Sequence, residues 1–242
     1  MTPPLFFVDT LPAGETLVLD GEEGRHAARV KRLGPGEAVL VGDGLGGLLD
    51  CVVEQVLGDG LVLRVLARHE LPEPKPRLAA VQAVPKGDRA ELAVELLTEL
   101  GVDEIIPWAA SRSVPQWRDE RAAKAVAKWR RTAREAAKQS RRPRLPMVTD
   151  LASTQDVTRR ISRAESFVLH EGAIAALATA ELPDAAEILV VIGPEGGVTE
   201  DELLQFAAAG ARAVRLGEPV LRTSTAGAAA LVALAVRLGR WG

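Results

Sequence analysis

The sequence predicts an α/β protein in two parts, a small N-terminal β-barrel and a larger, mostly parallel α/β domain. Three observations carry that expectation. Leu71-Pro72-Glu73-Pro74-Lys75-Pro76 sets prolines at alternate positions, which forbids a helix and favours an extended connector. Before it, short β-like runs are separated by glycine-rich turns. After it, apolar runs alternate with helical patterns, the signature of strands in a parallel sheet. The expected division is a barrel over 1–71, a linker over 72–77 and an α/β domain over 78–242.

In the first part, Thr16–Leu19, Ala38–Val41, Leu48–Val53 and Leu61–Leu66 read as strands. Gly34-Pro35-Gly36, Gly42-Asp43-Gly44 and Gly58-Asp59-Gly60 supply the turns between them, a spacing that suits a small barrel. In the second part, Leu78–Val84 is a strand and Asp88–Leu100 an amphipathic helix closed by Gly101. Glu104–Pro107 is a strand, and Asp119–Gln139 a long basic helix. Ser166–His170, Glu187–Ile192 and Arg212–Leu216 follow as strands with helices between them. Thr199 and Glu202 form a capping box at the start of one of these helices. The last helix, Thr225–Val236, is almost uncharged and offers more apolar surface than one buried face requires.

The chain has 242 residues, enough for two units with ample core. Cys51 is the sole cysteine, so no disulfide can form within the chain, and a reducing, cytoplasmic setting is expected. The N-terminus lacks the pattern of a secretory signal, and the longest uncharged apolar run, Ala226–Val236, is too short to span a bilayer. No membrane partner is expected. Net charge is −3, yet between Arg112 and Arg144 twelve Lys or Arg face three Asp or Glu, a local charge of +9. So few carboxylates cannot neutralise these cations through neighbouring helix turns, which points to a polyanion such as RNA.

Several chemistries are disfavoured. No Gly-x-Gly-x-x-Gly opens a helix in the α/β part (the run at 42–47 lies among the barrel strands), and there is no Walker A pattern for nucleoside triphosphates and no Gly-x-Ser-x-Gly elbow. His26, His69 and His170 are scattered and Cys51 is alone, so no metal site is expected. Two motifs remain. Gly193-Pro194-Glu195-Gly196-Gly197 follows a predicted strand, and its glycines would let backbone approach a flat ring without an intervening Cβ. Leu216-Gly217-Glu218-Pro219-Val220-Leu221-Arg222-Thr223-Ser224-Thr225-Ala226 follows another strand and opens the last helix. Two such strand-to-helix turns side by side build a pocket at the ends of neighbouring strands.

These motifs resemble the cofactor pocket of the SPOUT methyltransferases, and in particular the bacterial family that methylates N3 of a uridine in 16S ribosomal RNA. Lys86-Gly87-Asp88-Arg89 with Thr98-Glu99-Leu100-Gly101-Val102 adds a third match. Arg25-His26 through Val30 and Arg32, with Gly42-Asp43-Gly44, adds a fourth. The likeness therefore runs nearly end to end and in order. It implies a PUA-like barrel, a SPOUT domain with a trefoil knot, S-adenosylmethionine as cofactor, and a homodimer. It also implies 16S rRNA as partner, within a small-subunit particle. The cofactor residues it implies are Leu169, His170, Ile192, Gly193, Pro194, Glu195, Gly196, Leu216, Gly217, Leu221, Thr223, Thr225 and Ala226.

Departures from the family's pattern are Pro219 for arginine, Ser224 and Lys138 for glutamate, Arg141 for glycine, and Ser111 where glutamate is common. The proton on uridine N3 must leave before methylation, so a site for this reaction should stabilise negative charge on the uracil oxygens. Arg222, a planar and permanently charged donor, is the expected catalytic group; no general base is evident. RNA contact is expected from Arg25, His26, Arg29, Lys31 and Arg32 in the barrel. The long helix and the segment after it would add Arg130, Arg131, Arg134, Lys138, Arg141 and Arg142. Two alternatives stay open: a SPOUT enzyme acting on another RNA nucleoside, and a non-enzymatic RNA-binding assembly protein.

Overall fold

The computed structural model describes residues 2–115, 117 and 119–241. The chain forms two compact units. The first comprises residues 1–73 together with 137–145; the second comprises 74–136 and 146–242. Residues 137–145, which the sequence division places with the α/β part, thus pack with the barrel.

The first unit is built on a five-stranded sheet in the order β1-β3-β4-β5-β2. Its strands are β1 (Leu5–Phe7), β2 (Thr16–Leu19), β3 (Ala38–Gly42), β4 (Gly47–Leu57) and β5 (Gly60–Glu70). Alternation over residues 47–53 of β4 buries Leu49, Cys51 and Val53, as a half-buried strand requires, while residues 54–57 are exposed. Phe6 from one edge strand and Leu19 from the other share that core, so the sheet curls around a single apolar centre. A short helix, α1 (Gly21–Arg25), runs into a π-helical turn (His26–Val30). Neither this segment nor β1 is anticipated from the sequence, because both are too short to show a period.

Residues 137–145 complete the unit. Ala137 is buried against Leu5 and Phe7. Lys138, expected on the RNA face, is instead buried and pairs with Glu23 at 3.0 Å, so it is withdrawn from that surface. Arg141 adopts φ 56°, the left-handed conformation, which explains why the family's pattern has glycine there. Its guanidinium donates to Pro3 O at 3.0 Å and Thr2 O at 3.3 Å, tying down the start of the chain rather than standing free.

The second unit holds a six-stranded sheet, all parallel, in the order β11-β9-β10-β6-β7-β8. These are β6 (Arg77–Ala83), β7 (Glu104–Trp108), β8 (Met147–Val148), β9 (Glu165–Leu169), β10 (Glu187–Ile192) and β11 (Arg212–Val214). Residues of α2 (Arg89–Glu99), α3 (Asp119–Gln139) and α6 (Thr223–Arg237) build one of its two cores. Residues of α4 (Thr154–Ile161) and α5 (Glu200–Ala208) enter the other. Gly227 lets α6 approach α2 and β10: a Cβ there would lie 3.0 Å from Leu97 Cδ2 and 3.3 Å from Ile192 Cγ1. Gly101, at φ 93°, ends α2 as anticipated.

One expected helix of the second unit is missing. No helix lies between β9 and β10; residues 170–186 are irregular. The alanines there favour a helix, but tertiary partners take the segment's backbone groups. Arg215 N donates to Ala175 O, Leu177 N donates to Arg215 O, and Arg237 donates to Leu177 O at 2.8 Å and Ala180 O at 2.5 Å.

Candidate cofactor and RNA site

Three chain segments leave the carboxyl ends of β9, β10 and β11 and enclose a cavity of about 690 Å³, a size suited to a cofactor. The exit of β9 supplies Leu169, His170 and Glu171. The exit of β10 supplies Ile192 and the Gly193–Gly197 loop. The segment from β11 to α6 supplies Arg215, Leu216, Gly217, Leu221, Arg222, Thr223 and Ala226. The cavity thus gathers every expected cofactor residue except Thr225. That residue's hydroxyl instead donates to Arg222 O at 3.1 Å, closing the first turn of α6.

The glycine-rich loop is held from two sides. Glu195 Oε1 accepts from the Lys86 amide at 3.1 Å, so this carboxylate joins the loop to the segment before α2 rather than bonding within its own turn. Arg112 Nη1 donates to Gly196 O at 3.0 Å. A Cβ on Gly196 would lie 3.0 Å from Arg112 Cβ, and one on Gly193 would lie 2.8 Å from Val198 Cγ2. Gly193 and Gly196 are therefore demanded by close protein neighbours, and Gly197 by its left-handed backbone at φ 74°. After the loop, Thr199 and Glu202 make the expected capping box at the start of α5. Glu202 is 2% exposed and also accepts from Ser111 and Thr154. Burial pushes its carboxyl up, but hydrogen bonds from Ser111 and Thr199 outweigh burial and hold it below the usual carboxylate range.

Arg222 is exposed, precedes the first turn of α6 and borders the cavity, with no ion pair among the described residues. Arg89, Arg112 and Arg215, none of them among the expected site residues, border it too. A signal for Arg112 existed in the basic run, but nothing local marks Arg215 as a pocket residue. Ser224 is buried, lies outside the lining, and its hydroxyl has no hydrogen-bond partner among the described residues.

Among the expected RNA contacts, Arg25, Lys31 and Arg32 are exposed in the barrel unit, while Arg29 pairs with Asp59. His26 is half-buried with its ring edge-on to Phe6. In the second unit, Arg131 is exposed and Arg134 half-buried. Arg130 donates to Val148 O at 3.0 Å and Asp150 at 2.9 Å. Arg142 is half-buried in the barrel unit. Among the described residues no group of three or more His, Cys, Asp or Glu is placed to hold a metal, and no helix is long and apolar enough to cross a membrane.

Residues 72–235 match the RNA methyltransferase domain, and residues 19–66 match the RNA methyltransferase PUA domain. The chain belongs to the RNA methyltransferase family. The ribosomal RNA small subunit methyltransferase E of Mycobacterium tuberculosis is 47% identical over 247 residues, covering 100% of this chain and 94% of its own. The protein of the same name from Bacillus subtilis is 32% identical, covering 90% of this chain and 89% of its own. Among solved structures, a ribosomal RNA small subunit methyltransferase E from Neisseria gonorrhoeae was crystallised with S-adenosylmethionine. It superposes with a TM-score of 0.86 at 26% identity, over 98% of each chain. The cavity fits that kind of ligand: Leu169, Ile192, Leu216, Leu221 and Ala226 offer an apolar slot for a flat ring, and glycines bring backbone to its edge.

Proposed function

We propose that this protein methylates N3 of a uridine in the 16S rRNA of the small ribosomal subunit, with S-adenosylmethionine as methyl donor. One observation carries the reading. Arg222, without an ion pair among the described residues, borders a glycine-edged cavity of mixed lining built at the carboxyl ends of three parallel strands. The cofactor, when bound, supplies an electrophilic methyl group. The chain's own work is to position the two partners and to stabilise charge. Leu169, Ile192, Leu216, Leu221 and Ala226 hold the adenosine, while Gly193, Pro194, Glu195, Gly196, Gly197 and Gly217 shape the loops around it. His170 and Thr223 close the walls. Arg222 donates to the uracil oxygens as N3 loses its proton and charge develops there.

The PUA-like unit and the exposed cations Arg25, Lys31, Arg32 and Arg131 grip the rRNA backbone, positioning it without reading its sequence. Folded rRNA is recognised by shape and by a splayed target base. The protein works in the cytoplasm on a small-subunit particle, as a homodimer whose interface covers apolar residues of the C-terminal region. Val236 at 58% and Trp241 at 45% exposure are candidates for that surface. The trefoil knot belongs to the same proposal; the parallel order β11-β9-β10-β6 is consistent with it. Ser224, where the family's pattern has glutamate, is buried and outside the cavity lining, which disfavours a changed target nucleoside.

Mapping modified nucleosides in rRNA from cells with and without the protein tests the reading. Loss of one N3-methyluridine, restored by the purified protein acting on small subunits, is the expected result. An unchanged uridine with a different nucleoside lost would replace it with the alternative substrate.

A further inference from the structure

The buried carboxylate of Glu202 receives more than a capping box requires. Its Oε2 accepts from Thr199 N and Oγ1, both at 2.9 Å, which is ordinary helix capping. Its Oε1 faces away from α5 and accepts from Ser111 N and Ser111 Oγ at 2.9 Å and from Thr154 Oγ1 at 3.2 Å. Thr154 Oγ1 in turn accepts from the buried indole of Trp108 at 3.2 Å, at the end of β7. One carboxylate thus joins the exit of the glycine-rich loop, the segment after β7 and the start of α4.

The residue after Ser111 is Arg112, which donates to Gly196 O and packs where a Gly196 side chain would be. Two tethers therefore connect the segment after β7 to the cofactor loop: Ser111 through Glu202, and Arg112 directly. A buried carboxylate with five donors is rigid, because moving any one donor leaves charge unsatisfied. We propose that Glu202 is a positioning residue for the cofactor: through Ser111 it sets Arg112 over Gly196 and so holds the glycine-rich loop in its binding shape. Arg112 is the lever, Glu202 the anchor. The inference concerns cofactor binding alone and holds whichever nucleoside is methylated.

The test is a double-mutant cycle read by calorimetry of S-adenosylmethionine binding, with Glu202→Gln and Arg112→Ala singly and together. Glutamine keeps the size of the side chain but puts an amide donor against hydroxyl and backbone donors. Each single variant should weaken cofactor binding by roughly tenfold, the scale of a lost hydrogen bond to a charged group. Because both act through one loop, the double variant should bind about as weakly as the worse single one. At saturating cofactor, turnover of Glu202→Gln should stay near that of the parent. Parental affinity in Glu202→Gln, or a double variant showing the product of the two single losses, would overturn the proposal. Should Glu202→Gln fail to fold, Ser111→Ala takes its place in the cycle: it removes one of the five donors, should weaken binding several-fold, and must show the same non-additivity with Arg112→Ala. Failure of the parent to methylate uridine would leave these binding measurements intact.

Discussion

The two ends of the parallel sheet treat charge in opposite ways. At the amino ends, strands β6, β7, β9, β10 and β11 begin on Arg77, Glu104, Glu165, Glu187 and Arg212, and these residues are paired. Arg160 donates to Glu104 at 2.7 Å and Glu187 at 2.5 Å, with Arg77 beside both carboxylates. Glu165 accepts from Arg212, and Asp103, just before β7, accepts from Arg240 at 2.8 Å. At the carboxyl ends, Arg89, Arg215 and Arg222 border the cavity without an ion pair among the described residues. Charge that is matched within the fold serves structure. Charge left open at a cavity is available to a ligand.

The sharpest way to break this contrast is at the open end. Arg222→Ala should leave cofactor affinity nearly unchanged and lower turnover by roughly a hundredfold, the scale for losing one oriented donor. Arg222→Lys should recover little, because an ammonium cannot copy the planar fork. Steady-state kinetics on small subunits, with cofactor binding measured in parallel, decide the matter. Near-parental turnover in the alanine variant would remove Arg222 from catalysis.

At the closed end the prediction reverses. Arg160→Ala should leave cofactor binding alone but cost about 2–3 kcal/mol of stability at neutral pH, since it leaves two mostly buried carboxylates close together with Arg77, at 3.5 and 3.9 Å, to offset them. Urea titration checks it. The pH dependence has a definite sign. Burial raises the Glu187 carboxyl, Arg160 opposes that rise, and neighbouring Glu104 adds to it. A folded value above the unfolded one favours the fold at low pH and loses that benefit as pH rises through the folded value. The deficit of Arg160→Ala should therefore shrink on acidification, as Glu187 protonates. Glu202 carries the opposite sign. Its depressed carboxyl contributes stability above the unfolded value and loses it as pH falls through the folded one.

The exposed cations of the barrel offer a smaller test of the same idea. Replacing Arg25, Lys31 and Arg32 by Ala should make the salt dependence of RNA binding shallower, by about 0.7–0.9 in slope for each phosphate no longer neutralised. Lys138→Met should leave that slope unchanged and destabilise the barrel unit, because Lys138 is already engaged by Glu23. An unchanged slope in the triple variant would show that these cations are merely solvated. Smallest of all is the effect expected at Cys51. Burial, with Asp50 nearby, pushes its thiol up to about 11. Alkylation of the native protein at about pH 8 should accordingly be slow, and should become fast in denaturant.

Much of the fold is legible locally. After Glu187, strand β10 is an uninterrupted apolar run, and Gly101 and the Thr199–Glu202 box stop and start helices by rules confined to a few residues. The glycine-rich loop and the turn into α6 are legible too, since each is contiguous in the chain. Residues 170–186 mislead because their alanines favour a helix in isolation, whereas β11 and Arg237 take their backbone groups in the fold. The basic run misleads in a similar way. Its total charge is a property of composition, but which of its cations remain open depends on partners far along the chain.

By itself, then, the amino-acid sequence determined the two-part plan, the parallel strands, the turns that edge the cavity and Arg222 beside them. Periodicity, capping and turn chemistry act over only a few residues, so these features can be read without neighbours. Tertiary structure alone decided that Lys138 is buried against Glu23, that Arg141 holds the start of the chain, and that Arg215 reaches the cavity. It also decided that Ser111 and Thr154 meet on Glu202. Pairing and burial are set by residues tens of positions away, and the energy of a charge depends on which of them it meets.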